Sequence, residues 1–396
     1  MDVAIDPQPA LIVEASSVAD VRTAVTAARE HGLPLAVWAT GHGTHVPPFD
    51  AVLLTTSAMG GVLVDPDRRV ARVGPGAKWG AVLAAASPFG LAPLSGSSPG
   101  VGVTGFTLGG GLGWLSRRHG FAADSVLRAE VVTADGELVT TSPDEHPDLF
   151  WALRGGGGSF GVVTSLELRL HPVSQVYAGT SYFGRERAAE TLARYREWIA
   201  DAPDELSTAV LLTPDALALR VMHAGPAEDA ERALRPLREA AGPAVREGFE
   251  VVSYADAAMG GTAPVHLDLF DDLPDEVIST LVDASSQATV EVRHWGGAMG
   301  RPGADAGPVG DRTVPLSVIV DTRLPEVAAT LRRHATGGSF LNFLKDSSRT
   351  ETAFTPEDYA RLRDVKLAYD PDNVFRFGHN IPPTAVRRRA VVAFGG

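Results

Sequence analysis

The sequence predicts an α+β protein made of two unlike parts: a glycine-rich unit of alternating strands and helices, then an antiparallel sheet covered by helices. Three observations predict this. Strand and helix patterns alternate through the first third of the chain. From about residue 175 the texture changes to longer, alanine-rich, charged helical patterns between short strands. The chain is also 396 residues long with 44% hydrophobic residues, too long for one core and enough for roughly two to three units on a prior of about 150 residues each.

The elements follow in order. Residues 10–13 are a short apolar strand, and Ser17 with Asp20 three residues on opens a helix whose Val21, Ala24, Val25 and Ala28 share one face. Gly32 closes it, and residues 35–38 form the second strand of a β-α-β unit, so residues 39–45 make a loop at a strand end, where α/β folds place ligands. Strands are expected at 52–54, 62–64 and 70–73, and a helix near 77–86. A glycine-dense region spans 96–113. Strands 131–133 and 138–140 joined through Asp135 and Gly136 read as a hairpin. After four glycines at 155–158, residues 162–170 alternate as a half-buried strand, ended by Pro172. In the second part, helices are expected at 186–200 and 227–241 and strands at 210–212, 290–293 and 316–320, with a long Gly/Pro loop at 296–308.

Composition excludes several functions. Net charge is −13, which argues against nucleic acid or an anionic membrane surface as the main partner. The absence of cysteine removes disulfides, thiolate metal sites, cysteine nucleophiles and iron–sulfur clusters together. The amino terminus has two acids and no base before its apolar stretch, so no secretory signal is expected, and no run approaches the ~18 residues of a membrane helix. A cytoplasmic address follows as an expectation. The 42 glycines need a separate explanation.

Several motifs compete. Gly100, Gly102 and Gly105 satisfy G-x-G-x-x-G, but a dinucleotide fingerprint needs a strand before it and a helix after it, whereas residues 93–99 and the glycines at 109–111 flank this one. Gly96-Ser97-Ser98-Pro99-Gly100 satisfies G-x-S-x-G, yet Pro99 has no NH to offer an oxyanion hole. His42 and His45 are three apart without an evident third ligand, so no metal is expected. Arg387, Arg388 and Arg389 read as a solvated run.

The order of four blocks, PLAVWATGHG, GSSPGVGVTGFTLGGGLGWLSRRHG, DLFWALRGGGGSFGVVTSLELRLHP and YDPDNVFRFGHNIPP, covers essentially the whole chain. It resembles the FAD-linked oxidases of the berberine-bridge-enzyme type, with the flavin fold of p-cresol methylhydroxylase (PCMH) and vanillyl-alcohol oxidase. The resemblance implies a PCMH-type FAD-binding domain of two α/β subdomains over residues 1–174, interrupted by a substrate-binding domain at 175–344, with 345–396 returning to the first. It implies FAD as cofactor, bonded through its 8-methyl to His42, in a loop Ala39, Thr40, Gly41, His42, Gly43 that cradles the diphosphate. Many relatives carry a second, cysteinyl link where this chain has Ser98, so attachment through His42 only is expected, and a large oligosaccharide substrate is disfavoured. Gly96, Ser97, Gly102, Gly105, Gly109 and Gly111 would line the flavin, with Gly161, Val162 and Val163 near the adenine half and His379 and Asn380 behind it. Val101 resembles the residue type that admits oxygen, which favours an oxidase. Gly378 stands where relatives more often have Asn.

The base is open at this level. Relatives often have Tyr-x-Asn near the flavin; here it is Phe340-Leu341-Asn342, which keeps Asn342 as a polar anchor and loses the hydroxyl. On strand 290–295, Glu291 and Arg293 share one face and Val292 and His294 the other. His294 and Tyr369 are the candidates, with a core histidine as the alternative for His294. The expected function is hydride transfer from a small or medium alcohol, amine or natural-product intermediate to flavin N5, with molecular oxygen regenerating the flavin and giving peroxide; a bacterial specialised-metabolism role is an analogy. A flavin-containing cyclase without net redox change and a small-molecule binding protein with a degenerate flavin site are the alternatives.

Overall fold

The computed structural model describes residues 8–44, 46–257 and 259–384; His45 and the Arg387–Arg389 run lie outside them. Three sheets organise the chain, in sequence order. The first has β1 (Leu11–Glu14), β2 (Leu35–Trp38) and β3 (Val52–Thr55), all parallel, in the order β1-β3-β2. Parallel strands of one sheet need a crossover, and α1 (Val18–Glu30) carries the chain from β1 to β2, on either side of β3. Its start is the expected capping box: Asp20 N donates to Ser17 Oγ at 3.3 Å, and Asp20 Oδ2 accepts from Ser17 N at 3.0 Å. Val21, Ala24, Val25 and Ala28 are buried against Leu35, Val52 and Leu54.

The second sheet has β4 (Val62–Asp65), β5 (Val70–Val73), β6 (Val126–Val132), β7 (Leu138–Thr141) and β8 (Val162–Arg169), in the order β4-β5-β8-β6-β7. β6 and β7 form the expected hairpin, with Gly136 at φ +84° in its turn. The half-buried reading of β8 fails over its first half, where Thr164 and Ser165 are both buried; the alternation survives only near Arg169, which is exposed. The reason is position. β8 lies in the middle of the sheet, covered on both faces, and a central strand need not alternate. Around this sheet sit α2 (Trp79–Ala86), α3 (Val103–Leu108) and α5 (Pro147–Leu153), while α4 (Ser116–His119) lies against β10 (Leu206–Leu212) of the third sheet.

The third sheet runs β9 (Gln175–Phe183), β10 (Leu206–Leu212), β11 (Leu217–His223), β12 (Ala244–Arg246), β13 (Phe249–Ser253), β14 (His266–Phe270), β15 (Val290–His294) and β16 (Leu316–Val320). All its pairings are antiparallel, in the order β12-β9-β11-β10-β15-β16-β14 with β13 also on β9. One face is covered by α6 (Ala188–Trp198), α7 (Ala227–Ala241), α8 (Asp275–Ala284) and α9 (Pro325–His334). There Val210, Leu219, Val221, Val292 and Val318 meet Leu192, Tyr195, Leu234, Val277, Leu281 and Leu331. Each such buried aliphatic contributes ~1.5–3 kcal/mol, so this layer fixes the sheet. The opposite face, with Ala209, Leu211, Ala218 and Met222, packs on Leu94, Trp114 and Leu115 of the glycine-dense segment and on Tyr254 and Met259.

The chain then returns. In the last turn of α10 (Pro356–Tyr369), the wholly buried Lys366 donates from Nζ to Asp370 Oδ2 (2.6 Å), Ser159 O (2.7 Å) and Phe375 O (2.9 Å). Asp370 in turn accepts from the NH groups of Val374 and Phe375, both at 2.8 Å. Leu35 N donates to Val374 O at 2.9 Å, so the tail is tied both to β2 and to the glycine turn before β8. Burying this ion pair is tolerable because every charge has a partner.

Candidate functional site

Two features converge where β2 ends. The loop after it carries Gly41 and Gly43, both at φ +74°, a conformation that side chains rarely adopt. Beside it is a cavity of about 210 Å³ walled by β2, Gly43, Gly158, Lys345, Gly378 and His379. A Cβ added at Gly41, Gly43, Gly158 or Gly378 would meet nothing within 4 Å, and the same holds at Gly105 on α3. These five glycines border open space. His42 is exposed between the first two. His379 accepts from Ser159 Oγ through its carbonyl (3.1 Å), and its Nδ1 lies 3.4 Å from Thr350 Oγ1.

At the other expected flavin-lining glycines an added Cβ would meet protein. A Cβ at Gly96 would lie 2.8 Å from the Phe106 ring, at Gly102 2.7 Å from Thr40 Oγ1, at Gly111 2.6 Å from Ala122 Cβ and at Gly161 2.6 Å from Val131 Cγ1, while at Gly109 it would strike Asn342. Packing alone requires glycine at these five positions. Val162 and Val163 are buried at the start of β8, and Ala39 and Thr40 are half-buried. Ser97 Oγ accepts from Trp114 Nε1 at 2.9 Å. Ser98 O and Val101 N are 3.3 Å apart, and Val101 O accepts from Trp79 N at 3.0 Å, which ties this segment to the start of α2.

Asn342 uses both ends of its amide within the protein. Its Oδ1 accepts from Gly111 N at 2.8 Å and its Nδ2 donates to Phe106 O at 3.1 Å, clamping the end of α3 to the loop that follows. Phe340 stacks on Phe121, with ring centroids 5.6 Å apart, and meets Trp295 edge-on. Tyr369 is elsewhere. Its hydroxyl donates to Asp148 Oδ1 (3.0 Å) and lies 3.1 Å from His146 Nδ1 at the start of α5, and burial with the Asp148 carboxylate pushes the phenol up to about 12.

His294 falls on the helix-covered face of the third sheet, edge-on to Trp198 and 5% exposed. Arg117 donates to its Nε2 at 2.8 Å, and its Nδ1 is buried without a partner among the described residues. Burial, then the Arg117 charge, holds its pKa well below the ordinary value. The structure therefore separates His294 from the cavity and from the glycine-dense segment; it is a neutral core histidine. The polar groups on the face toward that segment are those sequence reading passed over. Glu291, 3% exposed, accepts at Oε2 from Thr262 Oγ1 (2.7 Å) and Arg220 NH1 (3.3 Å). Arg293 donates to Gly113 O at 2.9 Å and lies over the Trp114 ring at 4.3 Å. The alternation along β15 was the available signal, because it groups Glu291 with Arg293.

The chemistry of this donor set suits a diphosphate-bearing cofactor. Left-handed glycines expose backbone NH groups and Lys345 adds a cation at one cavity. Thr104 Oγ1, Thr107 Oγ1 and Asn380 Oδ1 are buried without partners among the described residues and so await a ligand or water. The known proteins agree. Residues 9–142 match the FAD binding domain and residues 339–382 the berberine and berberine-like domain. The chain is 29% identical to an FAD-linked oxidoreductase of Bacillus subtilis over 97% of this chain and 93% of that one. It is also 29% identical to (R)-6-hydroxynicotine oxidase of Paenarthrobacter nicotinovorans over 95% of this chain and 92% of its relative. The crystal structure of 6-hydroxy-D-nicotine oxidase from Arthrobacter nicotinovorans superimposes with a TM-score of 0.82 at 26% identity, covering 95% and 92% of the two chains. Fold and site thus define an FAD-binding flavoprotein of PCMH type. Within that class the chain belongs to the berberine-bridge-enzyme-like FAD-linked oxidoreductases.

Proposed function

We propose that the protein is an FAD-dependent oxidase of a small or medium organic molecule, an alcohol, amine or natural-product intermediate, with the flavin held covalently through His42 alone. The observation that carries this is the cavity bordered by the open glycines Gly43, Gly158 and Gly378 and by Lys345, beside the His42 loop of the matched FAD-binding domain. At about 210 Å³ the cavity is a seat for one part of a dinucleotide, below the ~300–1,000 Å³ of a whole ligand pocket. Gly41 and Gly43 present backbone NH groups, Lys345 neutralises phosphate, and exposed His42 offers the ring nitrogen for attachment. FAD held there would supply a hydride acceptor that O2 can reoxidise, with hydrogen peroxide as the product.

The division of labour in the chain follows. Residues 1–174 with 345–396 hold the cofactor, and the third sheet, residues 175–344, presents the substrate. Its flavin-side face meets the segment 94–115 through Arg293 and Trp114. Glu291 is the buried carboxylate on that face, and among the described residues its Oε1 carries no hydrogen bond while Oε2 accepts two. Glu291 accepts the proton released from the substrate hydroxyl or amine as hydride leaves the adjacent carbon. Asn342 keeps the loop 109–111 in place.

The test has two arms. Colour that stays with acid-precipitated protein and is released by His42→Ala supports the attachment; colour still bound in the variant refutes it. Peroxide formed mole for mole with substrate lost supports an oxidase, whereas substrate consumed without oxygen uptake indicates a cyclase.

A further inference from the structure

The flavin-side face of the third sheet is charged in an unbalanced way. Arg220 on β11 pairs laterally with Ala209 on β10, which pairs with Arg293 on β15, so two guanidinium groups flank one alanine in a single row. Glu291 stands one row further on, opposite Leu211. Among these three side chains, two cations and one carboxylate leave one positive charge over, and the apolar residues packed on this face include Leu211, Met222, Trp114, Tyr254 and Met259. Arg293 is engaged by Gly113 O and the Trp114 ring. Arg220 is not so engaged. Its side chain is 13% exposed and, among the described residues, only NH1 is bonded, to Glu291 Oε2, while Nε is buried with no partner. A buried, unpaired guanidinium NH is costly and rare in a folded protein.

We propose that Arg220 is the anion-binding end of the substrate site and takes a carboxylate, which makes the substrates small organic acids with an apolar body. A carboxylate offers two oxygens to the Nε and NH2 edge of the guanidinium, the planar fork that arginine matches best, and it cancels the surplus charge. The apolar neighbours take the rest of the molecule. The loop that follows Met259 places this end toward the glycine-dense segment. Thr262 fastens that loop to Glu291, a Cβ at Gly260 would lie 3.9 Å from Arg220 NH2, and one at Gly261 would lie 3.7 Å from Ser97 Cβ. A neutral substrate leaves Nε unpaired, so the site rejects it by the cost of that group.

The proposal rests on reading this face as the substrate face, and its test needs no turnover. Isothermal calorimetry of the holoprotein compares benzoate with benzamide, its neutral isostere. Benzoate should bind about 10-fold tighter or more, as expected for one charge-assisted bidentate contact. Arg220→Gln should erase the preference, and Arg220→Lys, which keeps the charge but loses the fork, should leave an intermediate one. Equal affinities in the unaltered protein overturn the proposal, as does a preference unchanged in Arg220→Lys, which decides the matter should Arg220→Gln fail to fold. A benzoate preference in a protein whose flavin no substrate reduces would count against the oxidase reading alone.

Discussion

The two faces of the eight-stranded sheet are built from the same strands and have opposite fates. On β15, Val290, Val292 and His294 enter the helix-covered layer, while Glu291 and Arg293 point to the glycine-dense segment. The first face silences its polar groups: His294 is neutral, and Arg117 beside it spends its guanidinium on the carbonyls of Leu206 (2.8 Å), Ala202 (3.0 Å), Pro203 (3.3 Å) and Trp295. Among the described residues the second face leaves donors of Arg220 and one oxygen of Glu291 without a hydrogen bond. The first face leaves a neutral ring nitrogen, His294 Nδ1, unpaired among the described residues, whereas the second leaves donors of a charged guanidinium open, as a site that expects a partner does.

Removing Arg117 puts this contrast under the greatest strain. Arg117→Met strips several carbonyls of a buried donor at once. With each orphaned group costing about 1–3 kcal/mol, a loss of roughly 3 kcal/mol or more is expected in urea unfolding. A loss under about 1 kcal/mol would mean that the helix-side network is ornamental. Glu291→Gln tests the other face. It keeps the shape and should lower the rate of anaerobic flavin reduction about 100-fold or more, the usual worth of a positioned base, with the flavin spectrum unchanged. A variant that reduces flavin at the original rate would remove Glu291 from the chemistry.

How much of this was legible in the chain depended on whether the cause was local. Ser17 with Asp20 and the turn at Gly136 settle their own geometry within a few residues, and both formed as read. The alternation along residues 290–294 sorted the side chains into the right two sets, but which set faces the helices is decided by α6 to α8, far away in sequence. The same limit explains the glycines. Gly109 and Gly111 look like Gly41 and Gly43 in a sequence, yet the first pair is squeezed by Asn342 and Ala122 and the second borders open space. Central placement of β8 buried Thr164 and Ser165 for a comparable reason. Lys366 shows in the sequence only its i,i+4 spacing to Asp370, because its other partners, Ser159 O and Phe375 O, are main-chain atoms.

The smallest effect should come from His294, and its sign is fixed by where the proton goes. Folded, the ring stays neutral well below its ordinary range because burial and Arg117 oppose a second charge; unfolded, it titrates near about 6.5. Below that value the unfolded chain binds a proton that the folded one does not, so stability is full above about pH 6.5 and falls as pH drops, by up to ~1.4 kcal/mol per pH unit for one site. His119 and His171, stacked at 4.0 Å and lowered to about 4 and about 3 chiefly by burial, act in the same direction. His294→Gln removes one contribution only. The slope of unfolding free energy between about pH 6 and pH 5 should therefore become shallower by about 1 kcal/mol per unit without vanishing. Flavin reduction at about pH 7.5 should stay within about 3-fold, because a substitution remote from the reacting atoms changes little beyond its own surroundings. An unchanged slope with a collapsed reduction rate would exchange the roles of the two faces and return His294 to the reaction.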